Sequence, residues 1–218
     1  MSYILHLETA TKVCSVALSR DGKLLQLKEI CEDGYSHGEN LTLFITEVLD
    51  RESIEIKQIS AISIAIGPGS YTGLRIGLSV AKGICYATGI PLIAIDSLEC
   101  IHTLARLKYP EHNIIPMIDA RRMEVFCSVY NSQGVLIEPI RAEIIDESSF
   151  TLIEPLICCG DGSTKLKSIW SQRLTSIDDT IVSSATAQVG LAYDKFKLNI
   201  FEDLAYIEPF YLKEFAGK

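Results

Sequence analysis

The stretch GPGSYTG, Gly67 to Gly73, lies between an apolar run, AISIAI, and a helix-like run, LRIGLSVAKGICYA. A glycine turn that passes from strand into helix presents free N–H groups at the helix start, where an anion such as phosphate can bind. Gly67 and Gly69 are the candidate residues of such a cradle. The loop lacks the Lys-Ser/Thr of a Walker loop, and it is not GxGxxG, because three residues separate Gly69 from Gly73. Pro68 stiffens the turn and removes one donor. A structural turn and a weak nucleotide site both remain open. Other constellations offer less. Cys100 and His102 are two apart on an expected helix and so face away from each other. No HExxH occurs, and His6, His37, His102 and His112 show no metal-ligand spacing. No catalytic or metal residue is therefore assigned.

An internal repeat indicates which elements place these residues. ILHLETATKVCSVALSRDGKLL (Ile4 to Leu25) and IPMIDARRMEVFCSVYNSQGVLI (Ile115 to Ile137) have the same layout. Each is an apolar strand ending in a carboxylate, Glu8 or Asp119, followed by a polar turn, a second strand, a glycine turn at Gly22 or Gly134, and a third strand. Two copies half a chain apart imply duplicated domains. In the first half, Ser36 and Glu39 form a capping box that opens a helix to about Leu49, with Leu41, Phe44, Ile45 and Val48 on one face. AISIAI reads as a strand buried on both faces. Helices follow over about Thr72 to Tyr86 and, capped by Ser97, to about Leu107, with the strand Pro91 to Ile95 between them. The order β-β-β-α-β-α-β-α is that of a ribonuclease-H-like domain. The second half begins alike, gains a fourth strand at LICCG (Leu156 to Gly160), and has no long βαβ series after it. A helix over about Ala185 to Phe196 precedes an irregular tail, AYIEPFYLK. The expected fold is α/β: two tandem ribonuclease-H-like domains, 1–109 and a reduced 110–218, divided near Tyr109-Pro110, the last helix being free to pack back on the first domain.

With 218 residues, 48% of them hydrophobic, the chain can bury a substantial core. Its net charge of −8 suits a polyanion poorly, since Lys and Arg carry most nucleic-acid affinity, so any RNA role calls for a basic partner. The seven scattered cysteines contain no CxxC and read as buried thiols of a reducing cytoplasm. MSYILHLETA has no basic leader, and no apolar run approaches the ~18 residues of a membrane span.

ETATKVCSVAL, GPGSYTGLRIGLSVAKG, GIPLIAIDSLE and IDARRMEVF, in this order, resemble the TsaB (YeaZ) family of the actin and sugar-kinase superfamily, and the tail AYIEPFYL resembles its C-terminal stretch. The resemblance implies two actin-like, ribonuclease-H-like domains. It also implies a part in forming threonylcarbamoyladenosine at position 37 of tRNAs that read codons starting with A. In that pathway the transfer belongs to a paralogue, TsaD, with which TsaB-like proteins pair, and an ATPase, TsaE, joins them. The superfamily handles a phosphate-bound metal with the carboxylate after its first strand and cradles phosphate in a TxT-like turn. Glu8, Thr9 and Thr11 hold those places, so with Gly67 and Gly69 they form the candidate nucleotide site. The catalytic paralogues carry two histidines four apart on a helix, in a segment like IPLIGVNHMEGH. Here the segment is IPLIAIDSLECI: Ser97 and Ile101 stand where the histidines would be, and His102 is about 100° away around the helix.

The helix over Thr72 to Tyr86 has a narrow polar stripe, Arg75, Ser79, Lys82 and Tyr86, and is apolar or small over roughly 200°, wider than one sheet covers. Gly73, Gly77 and Ala81 form a small-residue ridge that admits a close neighbour, another helix of the same domain or a separate chain. The family pairs through the first two helices of its first domain. Leu41, Phe44, Gly73, Ile76, Gly77, Val80, Ala81 and Ile84 are therefore the expected interface, for TsaD or for a homodimer through the same patch. The expected role is that of a cytoplasmic, non-catalytic scaffold with no cofactor beyond weak nucleotide binding, reaching tRNA only through the complex. The competing readings are a small-molecule kinase or ATPase using Glu8, Asp119 and the loop and, less favoured, a metallopeptidase.

Overall fold

A computed structural model describes residues 1–31, 37–150, 153–170, 172–173 and 176–213. Two compact units emerge, the first from Met1–Ser97 with Ser184–Tyr211, the second from Leu98–Ser183 with 212–213.

The first unit holds one five-stranded sheet. β1 (Tyr3–Glu8), β2 (Val13–Arg20) and β3 (Lys23–Cys31) form an antiparallel meander, and β4 (Ile59–Ala65) and β5 (Leu92–Ile95) add parallel to β1, in the order β3-β2-β1-β4-β5. α1 (His37–Arg51) and α2 (Tyr71–Thr88) lie on one face. There Leu5, Leu7, Val16, Ile62 and Ile64 meet Leu41, Phe44, Val48 and Leu78 in a single core. The opposite face receives α4 (Gln188–Lys197), preceded by a 3-10 turn at Ala185–Ala187. Cover on both faces explains why β4 shows no polar alternation. Ser36, the expected cap of α1, lies outside the described residues.

The second unit repeats the meander with β6 (Asn113–Asp119), β7 (Glu124–Tyr130) and β8 (Leu136–Ile144), and adds β9 (Leu156–Cys159) and β10 (Ile177–Asp178) in the order β10-β9-β6-β7-β8. This is the order of the first sheet, so the duplication seen in the two hairpins extends to whole sheets. The copy is reduced as expected: after β9 comes a 3-10 segment, Asp161–Ser168, in place of a long helix.

The units divide upstream of Tyr109-Pro110. α3 (Ser97–Lys108) directs Leu98, Ile101 and Ala105 into a cluster with Ile114, Ile118, Phe126 and Ile157 of the second sheet. Ser97 does not act as a cap outside that helix; it is the first helical residue, and its hydroxyl accepts the Gly67 N–H at 3.0 Å. On the first sheet α4 takes the helix position that α3 leaves. A buried polar chain holds it there. His6 Nδ1 meets Ser63 Oγ at 2.6 Å, Ser63 Oγ donates to Gln188 Oε1 at 2.7 Å, and Gln188 Nε2 donates to the Leu7 carbonyl at 2.7 Å.

Candidate functional site

Glu8 ends β1 fully buried, and one carboxylate oxygen accepts the Ala10 N–H at 2.7 Å. Burial, with the Glu8 charge beside it, pushes the Cys14 thiol up to about 11. Asp119 ends β6 in the same way and accepts the Arg121 N–H at 2.6 Å, but it is exposed and pairs with Lys165 at 2.6 Å. Each copy of the repeat thus closes its first turn on its own carboxylate.

The first of these turns is locked under the glycine loop. Thr9 is fully buried, and its hydroxyl donates to the Gly73 carbonyl of α2 at 2.8 Å. The Thr11 carbonyl accepts from His37 Nε2 at 2.8 Å, and its hydroxyl accepts the Val13 N–H. The Ala10 carbonyl accepts the Ser70 N–H at 2.6 Å, and a Cβ on Gly69 would run into that same carbonyl. Ser70 caps α2 by accepting the Gly73 N–H at 3.2 Å. Gly67, at φ +126°, exchanges two hydrogen bonds with Ser97, and the Phe210 N–H reaches the Ile66 carbonyl at 2.8 Å. The structure therefore does gather Glu8, Thr9, Thr11, Gly67 and Gly69 into one place. The N–H groups of Gly67, Ser70 and Gly73, which an anion would have to claim, are held by protein oxygens.

The small-residue ridge of α2 requires a correction. Gly73, Gly77 and Ala81 point into their own unit. A Cβ on Gly73 would strike the Thr9 carbonyl, and one on Gly77 would strike the Thr9 hydroxyl with Ile64 Cδ1 3.0 Å away. The close neighbour is the β1–β2 turn. Leu41 and Phe44 are buried in the same core. These five are not free for a partner, because the sheet and its turn already fill the space around them. Ile76, Val80 and Ile84 remain half-buried on the shoulder of α2, with Thr72, Ser79, Gly83 and Ala87 exposed beside them. A Cβ on Gly83 meets open space. The other flank of α2 is covered by the chain's own tail. The Arg75 guanidinium stacks 4.0 Å from the Tyr71 ring and donates to Tyr211 Oη at 3.0 Å, and Lys82 Nζ donates to the Ile207 carbonyl at 3.2 Å. The tail motif AYIEPFYL carried this cover in the sequence, but its irregular pattern did not show what it covers.

Where a catalytic paralogue would carry its histidines, Ser97 holds the glycine loop and Ile101 is fully buried. His102 stacks on Tyr130 at 3.8 Å, and burial beside Arg106 lowers it to about 4. Among the described residues no three His, Cys, Asp or Glu side chains converge on a metal position. No described helix is long and apolar enough to cross a membrane.

These features define a duplicated actin-like fold whose first threonine turn is bonded to its own glycine loop and helix. The chain belongs to the family described as TsaD, tRNA N6-adenosine threonylcarbamoyltransferase, whose model matches residues 34–213. Within it the expected likeness to TsaB (YeaZ) holds. The chain is 32% identical over 125 residues to the tRNA threonylcarbamoyladenosine biosynthesis protein TsaB of Haemophilus influenzae, covering 57% of this chain and 52% of that protein. It is 32% identical over 127 residues to the TsaB of Escherichia coli, covering 58% and 54%. The chain thus spans about half the length of these curated relatives. YeaZ from Pseudomonas aeruginosa shares the fold, with a TM-score of 0.83 at 24% identity over 97% of this chain and all of that one.

Proposed function

We propose that this chain is a non-catalytic subunit of the machinery that forms threonylcarbamoyladenosine at position 37 of tRNAs reading codons that start with A. It acts in the cytoplasm, pairs with a TsaD-type transferase through the outer shoulder of α1 and α2, and works in a complex completed by a TsaE-type ATPase. One observation carries the non-catalytic reading: both positions that would carry metal-binding histidines are committed to structure, Ser97 to the Gly67 N–H and Ile101 to the second core. The names of the relatives support the pathway. The loop donors already held by Ser97, Ala10 and Ser70 favour this reading over a small-molecule kinase. Without the transferase, the same shoulder of Ile76, Val80 and Ile84 pairs two copies of the chain.

The test is reconstitution of tRNA modification with the transferase and the ATPase, with and without this chain. Modification should require the chain, and full modification without it overturns the proposal. Gly83→Arg separates interface from fold. It sets a long cation on the exposed shoulder at a helix position where glycine is the poorer residue. Pairing should be lost while the unfolding midpoint is kept or raised.

A further inference from the structure

The second copy of the repeat uses its first turn differently. In the first unit that turn is buried beneath the glycine loop; in the second it is exposed and carries Arg121, Arg122 and the 43% exposed Met123. Both arginines have left-handed backbones, at φ +68° and +47°. The turn is closed by the Ala120 N–H on the Glu124 carbonyl at 3.1 Å and the Glu124 N–H on the Arg121 carbonyl at 3.2 Å. A left-handed backbone is uncommon at any residue but glycine, asparagine or aspartate, because a longer side chain there crowds the backbone, and here two arginines adopt it in succession. Strain kept at an exposed tip points to a use for the residues that bear it.

The charge arrangement indicates that use. The carboxylates flanking the turn are both neutralised from elsewhere in the unit, Asp119 by Lys165 at 2.6 Å and Glu124 by Lys213. Among the described residues, neither Arg121 nor Arg122 has an ion-pair partner. In a chain of net charge −8, two adjacent, exposed guanidinium groups thus stand without an ion-pair partner among the described residues. Guanidinium groups bind phosphate oxygens in a bidentate fashion. The tip is exposed rather than enclosed, which suits a strand of phosphates and not a small ligand held in a pocket.

We infer that the Arg121–Arg122 turn contacts the phosphate backbone of the RNA substrate. The inference rests on the tRNA-modification reading above and goes beyond it, because that reading places the RNA only on the partner. Such contacts position the substrate and carry no sequence information.

The test uses the chain in complex with its transferase, and as probe a fluorescein-labelled tRNA that reads a codon starting with A. R121N/R122G removes both charges and sets at the two left-handed positions the residues that tolerate positive φ best, so it should melt no lower than the wild type. Between about 50 and about 200 mM salt, the slope of log affinity against log salt should become shallower by about 1 to 2, with weaker binding throughout. R121K/R122K should keep most of the slope. An unchanged slope with the complex intact overturns the inference. So does a loss of affinity between the two proteins with tRNA binding unaltered, which would assign the turn to an acidic protein surface. Modification that proceeds without the chain overturns the reading beneath it and is scored separately.

Discussion

Thr9 occupies the space that the missing side chain of Gly77 leaves open, and its hydroxyl bonds to the Gly73 carbonyl one helical turn earlier at 2.8 Å. Two features read separately in the sequence, a threonine turn suited to phosphate and a small-residue ridge suited to a partner helix, are the two halves of a single internal contact. That contact fixes the angle at which α2 leaves the glycine loop.

Gly77→Ala should therefore destabilise the isolated chain by about 2–4 kcal/mol. A methyl group forced into a filled core costs about 1–3 kcal/mol, and displacing the Thr9 hydroxyl loses a hydrogen bond worth about 1 kcal/mol. Gly83→Ala, on the same helix, should gain up to about 1 kcal/mol. Urea unfolding of the two variants side by side gives the comparison, and equal effects would show that the ridge does not face inward.

Arg106 gathers the carbonyls of Tyr109, Pro110, His112, Asn131 and Ser132 at 2.6–3.4 Å. It ties the start of β6 to the β7–β8 turn. Arg106→Met keeps the aliphatic stem and removes the donors. Hydrogen bonds to a charged group contribute about 1.5–3 kcal/mol each, partly offset here by burial of the charge, so a loss of about 2–4 kcal/mol is expected. Hydrogen exchange should quicken at 131–135 before it does in the first unit.

Burial holds His6 neutral down to about 3, against 6.5 in the open chain. Between those values the unfolded chain carries the extra proton, so stability rises with pH across the window and falls as pH drops through 6.5. The loss from His6 at pH 5 is about 2 kcal/mol. His102, lowered to about 4 by burial beside Arg106, adds a loss of the same sign in the second unit. Denaturation across about pH 5 to 7.5 should show this slope, and His6→Gln should flatten it by one proton.

Gln188 joins α4 to the first sheet through Ser63 and the Leu7 carbonyl. Gln188→Leu leaves the Ser63 hydroxyl and the Leu7 carbonyl buried with one partner fewer, at a cost of about 1–3 kcal/mol. Thermal melting should show the loss. A variant as stable as the wild type would mean that α4 is held by its apolar face alone.

Much of this was readable because it is local. The paired hairpins, the apolar β4 and the periodic α1 and α2 each follow from neighbours a few residues apart, and the matching carboxylates Glu8 and Asp119 revealed the duplication. Small residues at i, i+4 and i+8 disclose that something approaches the ridge closely, not what; the neighbour, Thr9, is far away in the chain. The sequence alone does not decide which sheet α3 joins, because its apolar face suits either, and only the fit of Ile101 among Ile118, Phe126 and Ile157 decides between them. The left-handed backbones at Arg121 and Arg122 had no signal, since glycine, the usual marker, is missing from that turn.

The return of residues 184–211 to the first sheet also sets an order of assembly. While the ribosome is still translating the middle of the chain, β1, β2 and β4 have one bare face, and His6 and Ser63 lack the glutamine that completes their network. The amino-terminal unit cannot finish until residues 184–211 have been made, so contacts of long sequence separation slow its maturation. The second sheet, whose strands all lie between residues 113 and 178, has every strand in hand sooner and is the natural first folder.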